Sequence, residues 1–257
     1  MLHEVWLTLA ISLAIQAAFF VVAATLRTDK VTDLSYGLTF VLIAAALLAR
    51  SHAWSPPQLV LAGMVAAWGI RLAGYLLFRI IHMGRDARFD GIRERFWPFF
   101  TFWLGQGVAV WLIMLPVTIW FGTPGAWTPW MSLGGTVWAL GLVIETMADA
   151  QKFAVKRRPG GGSRWMTTGV WKYSRHPNYF GELLCWWGVF LYVAGNFTGW
   201  QWAGVLGPMA ITYILLRVTG IPTLEAAAQK KWGADPAYLA HVRRTSRLIP
   251  WPPRTGR

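Results

Sequence analysis

Cysteine is nearly absent from this chain: Cys185 is the only one in 257 residues. A disulfide within the chain is therefore impossible, and so is a cluster of cysteines around a metal. Acidic residues are also scarce, 11 against 24 Lys and Arg, and charged residues make up only 14% of the whole, too little for an ordinary soluble surface. Several signatures are missing as well. There is no G-x-G-x-x-G behind a strand, no P-loop, no H-E-x-x-H and no Cys/His spacing for zinc, so the usual soluble cofactor motifs are excluded and no metal is expected. The opening M-L-H-E carries no basic stretch before the first apolar run, so a cleavable signal is not expected. The aromatic residues sit mostly in apolar runs rather than among the basic ones, which argues against nucleic acid as a partner.

What is abundant is apolar sequence. Hydrophobic residues make up 55% of the chain and 18 are Trp, a composition that suits an all-α integral membrane protein forming one membrane domain over residues 1–257. Apolar runs long enough to cross roughly 30 Å of hydrocarbon predict seven transmembrane helices. They lie near Val5–Leu26, Leu34–Ala49, Gln58–Ile81, Phe99–Phe121, Met131–Asp149, Pro177–Ala194 and Trp202–Val218.

Charge sorts the connections between them. Two basic residues follow the first run, five surround the loop after the third, seven lie between the fifth and sixth, and eight run from Arg217 to the end. The turns after the fourth and sixth runs carry none. Alternation of this kind predicts an N-terminus outside and a C-terminus in the cytoplasm, with the basic loops beside anionic membrane lipids.

One stretch concentrates polar groups at the mouth of an apolar run: S-R-H-P-N-Y-F-G-E, Ser174 to Glu182. Pro177 has no N–H to lose in a first helical turn, so it marks a helix start whose free N–H groups point back towards Arg175 and His176, a natural place for an anion. Asn178 and Glu182, four apart, share one face of that helix, and so do Glu145 and Asp149 at the end of the fifth run. Charges at membrane depth normally face the bundle interior and mark function. Glu145, Asp149, Glu182 and Arg71, with Asp33 from the first loop, therefore read as a polar chamber open to the cytoplasm. Around it Lys156, Arg157, Arg158, Arg164, Lys172 and Arg175 could grip phosphates, while Asp149 and Glu182 could accept hydrogen bonds from ribose hydroxyls or a carboxamide. A phosphorylated nucleotide fits that inventory.

The run G-V-W-K-Y-S-R-H-P-N-Y-F-G-E resembles the signature of the bacterial membrane proteins grouped as DUF1295. It is similar to the C-terminal catalytic half of the steroid 5-alpha-reductases and, more distantly, to sterol reductases and isoprenylcysteine methyltransferases. The resemblance implies residence in a bacterial inner membrane, NADPH as cofactor, and reduction of a carbon–carbon double bond conjugated to a ketone in a steroid-like lipid. It divides the chain into substrate-side spans, 1–122, and a cofactor-binding half, 145–257. The motif positions that bind NADPH in the reductases match Asn178, Glu182, Asp149 and Arg164, with Lys156 in place of a phosphate-binding Arg. M-G-R in the third loop resembles R-G-R of the reductases and adds Arg85. Glu145, Tyr173, Arg175, His176 and Glu225 complete the implied cofactor set.

The reductases' Gln-Glu pair has no clear counterpart here. Asp33, Tyr36 and Arg71, the polar side chains of suitable type near the second and third runs, are the expected catalytic residues. R-H-P-x-Y-x-G also belongs to membrane methyltransferases that use S-adenosylmethionine, which keeps that reaction open as the alternative. An acid after the glycine, Glu182 here, is the reductase pattern.

Overall fold

The computed structural model describes residues 2–51, 54–83, 89, 91–158, 160 and 163–254. Among the described residues the chain is almost entirely helical, and its one β-bridge joins Ser174 and Ser246. The helices are α1 (Leu2–Thr25), α2 (Thr32–Arg50), α3 (Pro56–Met83), α4 (Phe96–Ile113), α5 (Leu115–Phe121), α6 (Pro129–Lys156), α7 (Pro177–Ala194), α8 (Leu206–Tyr213), α9 (Ile221–Trp232) and α10 (Pro236–Arg244). Among the described residues six helical segments are long and apolar enough to cross a membrane: Leu2–Thr25, Thr32–Arg50, Pro56–His82, Phe96–Ile113, Pro129–Lys156 and Gly199–Trp232. Segments of this length and composition fit an integral membrane protein.

The expected boundaries change at two places. The fourth run is interrupted at Met114, where α4 ends and α5 begins with Pro116 in its first turn. A proline there removes one backbone donor and crowds the carbonyl four residues earlier, which breaks a helix that hydropathy alone would run straight through. The last run is a composite of a 3₁₀ turn (Gly199–Val205), α8 and a single π-turn (Ile214–Val218) leading to Gly220 and α9. Thr219 donates to the carbonyl of Ile214 at 3.0 Å, the wider spacing of a π-turn, just before Pro222 restarts the α-helix. The motif helix α7 keeps its expected limits, but its polar first turns leave it outside the six apolar segments.

The chain forms two compact units, one of Met1–Gly135 with Val189–Ala210, the other of Thr136–Gly188 with Ile211–Arg257. In the first, α2 and α3 pack most extensively and come into backbone contact where Gly37 meets Gly69 and Ala73. Phe40 meets Trp68 edge-on at 5.1 Å, both fully buried.

Polar side chains also cross this first unit. Gln16 donates to Thr39 Oγ1 at 2.8 Å, and Gln106 donates to Gln16 Oε1 at 2.8 Å and to Ser35 Oγ at 3.1 Å. Ser12 donates to the carbonyl of Gly107 at 2.8 Å. Such bonds tie α1, α2 and α4 together where lipid offers no competing partner. The second unit holds the motif, and its order is best described through the site.

Candidate functional site

Within the second unit the site is organised by the crossing of α6 and α7. A Cβ placed on Gly181 would lie 2.6 Å from the Glu145 nitrogen and the Gly141 oxygen, so only a residue without a side chain allows the two backbones this close. The crossing sets Glu145 beside Gly181 and hence next to Glu182 in the chain. Glu145 is 2% exposed, Asp149 6% and Glu182 9%, which places three carboxylates in the interior of one unit. The Cys185 thiol, one turn beyond Gly181, lies 4.0 Å from Glu145 Oε2.

Two side-chain contacts carry the long connection back onto α6. Trp171 donates through Nε1 to the carbonyl of Ala148 at 2.9 Å, and Gln151 Oε1 accepts from the Val170 N–H at 3.0 Å. Both anchor the 3₁₀ turn Gly169–Lys172, which delivers Tyr173, Ser174, Arg175 and His176 to the start of α7. Lys152 sits 5.0 Å over the Trp171 ring. Earlier in the connection Trp165 packs against Tyr238 (5.1 Å) and Trp232 (6.1 Å), and Trp232 donates to the carbonyl of Ser163 at 2.9 Å. The loop is thus fastened to α9 and α10 on either side of Arg164, which stays exposed, as does Lys156 at the end of α6.

From the other side the motif is held by the end of the chain. Arg175 N–H donates to the Ser246 carbonyl at 2.8 Å, Ser174 Oγ to the Leu248 carbonyl at 2.7 Å, and Trp251 N–H to the Tyr173 carbonyl at 3.0 Å. Glu225, in the first half of α9, gathers two arginines and a histidine: Arg175 Nη1 at 2.6 Å, Arg247 Nε at 3.1 Å and the neutral His176, whose Nε2 lies 3.4 Å away. Its carboxylate positions the motif loop. His176 is 7% exposed and stacks on Tyr179 at 5.8 Å. Burial pushes its pKa down to about 4, partly opposed by the Glu225 carboxylate and reinforced by Arg175 and Lys152, so the ring is neutral at physiological pH. Burial likewise lowers the pKa of His241 on α10, with Arg175 adding to the effect.

Three buried polar atoms here have no hydrogen-bond partner among the described residues: Asn178 Oδ1, Arg175 Nε and Trp165 Nε1. An unmatched buried acceptor or donor costs about 1–3 kcal/mol, a cost that a ligand with complementary groups would remove. Asn178 Oδ1 can accept from an amide or hydroxyl, and Arg175 Nε and Trp165 Nε1 can donate.

The remaining expected residues lie in the first unit. Asp33, in the first turn of α2, pairs with Arg79 Nη2 at 2.9 Å. Tyr36, one turn on, meets Phe40 edge-on at 5.2 Å. Arg71 lies 5.8 Å from the Tyr75 ring, two turns before Arg79 on the same stripe of α3, about 12 Å along the axis. Arg85, and with it Pro159, Gly161 and Gly162 of the Gly-rich loop, lie outside the described residues.

Sequence reasoning missed Gln151, Trp165 and the terminal strap from Ser246 to Trp251, all of which hold the motif in place. A signal for the strap existed in R-L-I-P-W-P-P, a proline-punctuated apolar stretch after the last helix. A search of curated proteins and a search of solved structures each returned no match. The model of the family described as protein of unknown function DUF1295 matches residues 19–245, which takes in nearly all of both units and the whole motif, and the chain belongs to that family.

Proposed function

We propose that this protein is a membrane-embedded, NADPH-dependent reductase acting on a carbon–carbon double bond conjugated to a ketone in a steroid-like lipid. The observation that carries this reading is the mouth of α7. There the acceptor Asn178 Oδ1 is buried with no partner among the described residues, in a unit that also buries Glu145, Asp149 and Glu182, beside a connection rich in Lys and Arg. Buried acceptors favour a ligand rich in donors, and exposed guanidinium groups favour one that also carries phosphates. A nicotinamide dinucleotide phosphate offers both.

In this assignment Asn178, Asp149, Glu182 and Glu145 would accept from carboxamide and ribose groups. Lys156, Arg164 and Arg85 would hold phosphates, and Tyr173, Arg175, His176 and Glu225 would shape the rim. Bound NADPH would supply hydride to the β-carbon of the enone. The chain's own task is to polarise the substrate carbonyl and to deliver a proton to the α-carbon, work assigned to Asp33, Tyr36 and Arg71. Tyr36 is the better proton donor, and a membrane interior that excludes water would strengthen any hydrogen bond to a developing enolate.

The topology that accompanies this reading has seven crossings, with α7 as the sixth, the N-terminus outside and the C-terminus in the cytoplasm. The basic loops are the support for that orientation. Nucleotide would then arrive from the cytoplasm of a bacterial cell and lipid from within the inner membrane.

Calorimetry on the detergent-purified protein tests the cofactor. NADPH is expected to bind saturably and NADH much more weakly, since only NADPH offers a 2′-phosphate to the basic connection. Saturable binding of S-adenosylmethionine with no response to NADPH would overturn the reading in favour of a methyltransferase.

A further inference from the structure

A second concave site lies at the end of the chain. A cavity of about 430 Å³ is walled by Arg243 and Arg244 from the last turn of α10, by Arg247, and by Trp251 and Arg254 from the terminal coil. That volume falls in the range that holds a small ligand. Four guanidinium groups around one hollow repel one another, and of the four only Arg247 has a carboxylate within ion-pair distance among the described residues, that of Glu225.

Ordinary helix electrostatics account for part of this. Arg243 and Arg244 complement the negative C-terminal end of α10. Arg254 has no such reason to be there. The coil after the prolines turns back so that the Arg254 N–H donates to the Arg244 carbonyl at 3.0 Å, which returns a fourth cation to the other three. Two large apolar side chains of the same terminal coil stand in the open, Trp251 on the cavity wall at 67% and Ile249 two residues before it at 61% exposure. Arginines next to an exposed Trp and Ile are what a segment needs to sit at a membrane surface, with the cations at headgroup level and the apolar groups among the acyl chains.

We propose that this cavity binds the phosphate headgroup of an anionic phospholipid, with Trp251 and Ile249 in the adjoining interface. None of Lys156, Arg164 and Asn178 lines the cavity, which adjoins the proposed cofactor rim only through the Arg247–Glu225 pair, and the lipid would secure the strap that holds Tyr173, Ser174 and Arg175.

The test uses the full chain, delipidated in a nonionic detergent. It is titrated with dihexanoyl phosphatidylglycerol, dihexanoyl phosphatidylcholine or inorganic phosphate, and bound ligand is counted by native mass spectrometry. One phosphatidylglycerol should be retained saturably, roughly tenfold more tightly than phosphatidylcholine, and Arg243→Gln with Arg254→Gln should abolish that preference. Lys30→Gln, a basic residue remote in sequence, should leave it intact. Should the double variant fail to fold, Arg254→Gln alone, on the terminal coil, should still weaken phosphatidylglycerol by roughly threefold. Equal retention of the two lipids, or a preference that survives the arginine substitutions, would overturn the proposal. So would inorganic phosphate binding as tightly as phosphatidylglycerol, which would make this a free-phosphate site. Displacement of the lipid by NADPH would instead assign the cavity to the cofactor.

Discussion

Gly181→Ala probes the crossing on which the site depends. The added Cβ would sit 2.6 Å from the Glu145 nitrogen, 2.6 Å from the Gly141 oxygen and 2.8 Å from the Glu145 Cβ. Ordinary carbon contacts lie at about 3.5–4.0 Å, so the shortfall is about 1 Å. None of the three atoms can rotate aside, because two are backbone and the third is bonded to it. Forcing a methyl group into such a contact costs about 1–3 kcal/mol, whereas replacing glycine by alanine within a helix returns about 1 kcal/mol. Packing wins. The net loss, up to about 2 kcal/mol, lowers the melting temperature of a chain this size by up to about 8 °C. Gly74→Ala on α3 is the matched control: no atom lies within 4 Å of its Cβ position, so only the favourable helix term acts and the melting temperature should hold or rise. Both variants are to be melted side by side in one detergent, with NADPH titrations alongside. Gly181→Ala should also weaken the cofactor, since the displaced atoms belong to Glu145. If Gly181→Ala melts with Gly74→Ala, or above the wild type, the α6–α7 contact is not the close approach described and the argument fails.

Glu182→Gln keeps shape and removes charge; NADPH affinity should fall by about 1.5–3 kcal/mol with melting unchanged, and lost stability with intact affinity would make Glu182 a structural cap. Asn178→Ala and Arg164→Ala should weaken NADPH before they touch turnover. Tyr36→Phe and Asp33→Asn should do the reverse, losing about 10²–10³-fold in reduction of an enone lipid at normal NADPH affinity, and full turnover in both would remove them from the mechanism. His176 sets an acid limit. Its folded pKa of about 4 lies below the ordinary 6.5, so the folded state resists a proton that the unfolded chain accepts. The stabilising contribution is complete above pH 6.5 and is lost as pH falls towards 4, by at most about 3 kcal/mol. Melting curves from pH 7.5 to 4.5 should show this slope, and His176→Gln should flatten it.

Much of the candidate site could be read from local spacing. A carboxylate pair four residues apart falls on one helical face whatever surrounds it, so Glu145 with Asp149 needed no fold to be grouped. Pro177 announced the start of α7 because a missing N–H is tolerated only in a first turn, and the long apolar runs announced helices because a lipid solvent leaves backbone groups no other partner. Pro116 carried the same kind of signal for the break between α4 and α5, but mean hydropathy over the run concealed it.

Tertiary structure alone decided which distant segments meet. Ser174 finds its acceptor 74 residues away at Leu248, and Glu225 gathers the neighbours Arg175 and His176 from one segment and Arg247 from another. Nothing in helical periodicity encodes such partners, since a hydrogen bond between remote segments depends on how helices cross and not on the residues beside it. Asp33 shows the same division. Its place in the first turn of α2 follows from its neighbours, whereas its pairing with Arg79 follows from the antiparallel packing of α2 on α3 through Gly37 and Gly69. By itself, then, the sequence determined the helices, the burial of the acids along them and the basic character of the loops. The folded chain determined that Gly141 meets Gly181, as it did that Gly37 meets Gly69, because at each crossing the absence of a side chain sets the distance between backbones.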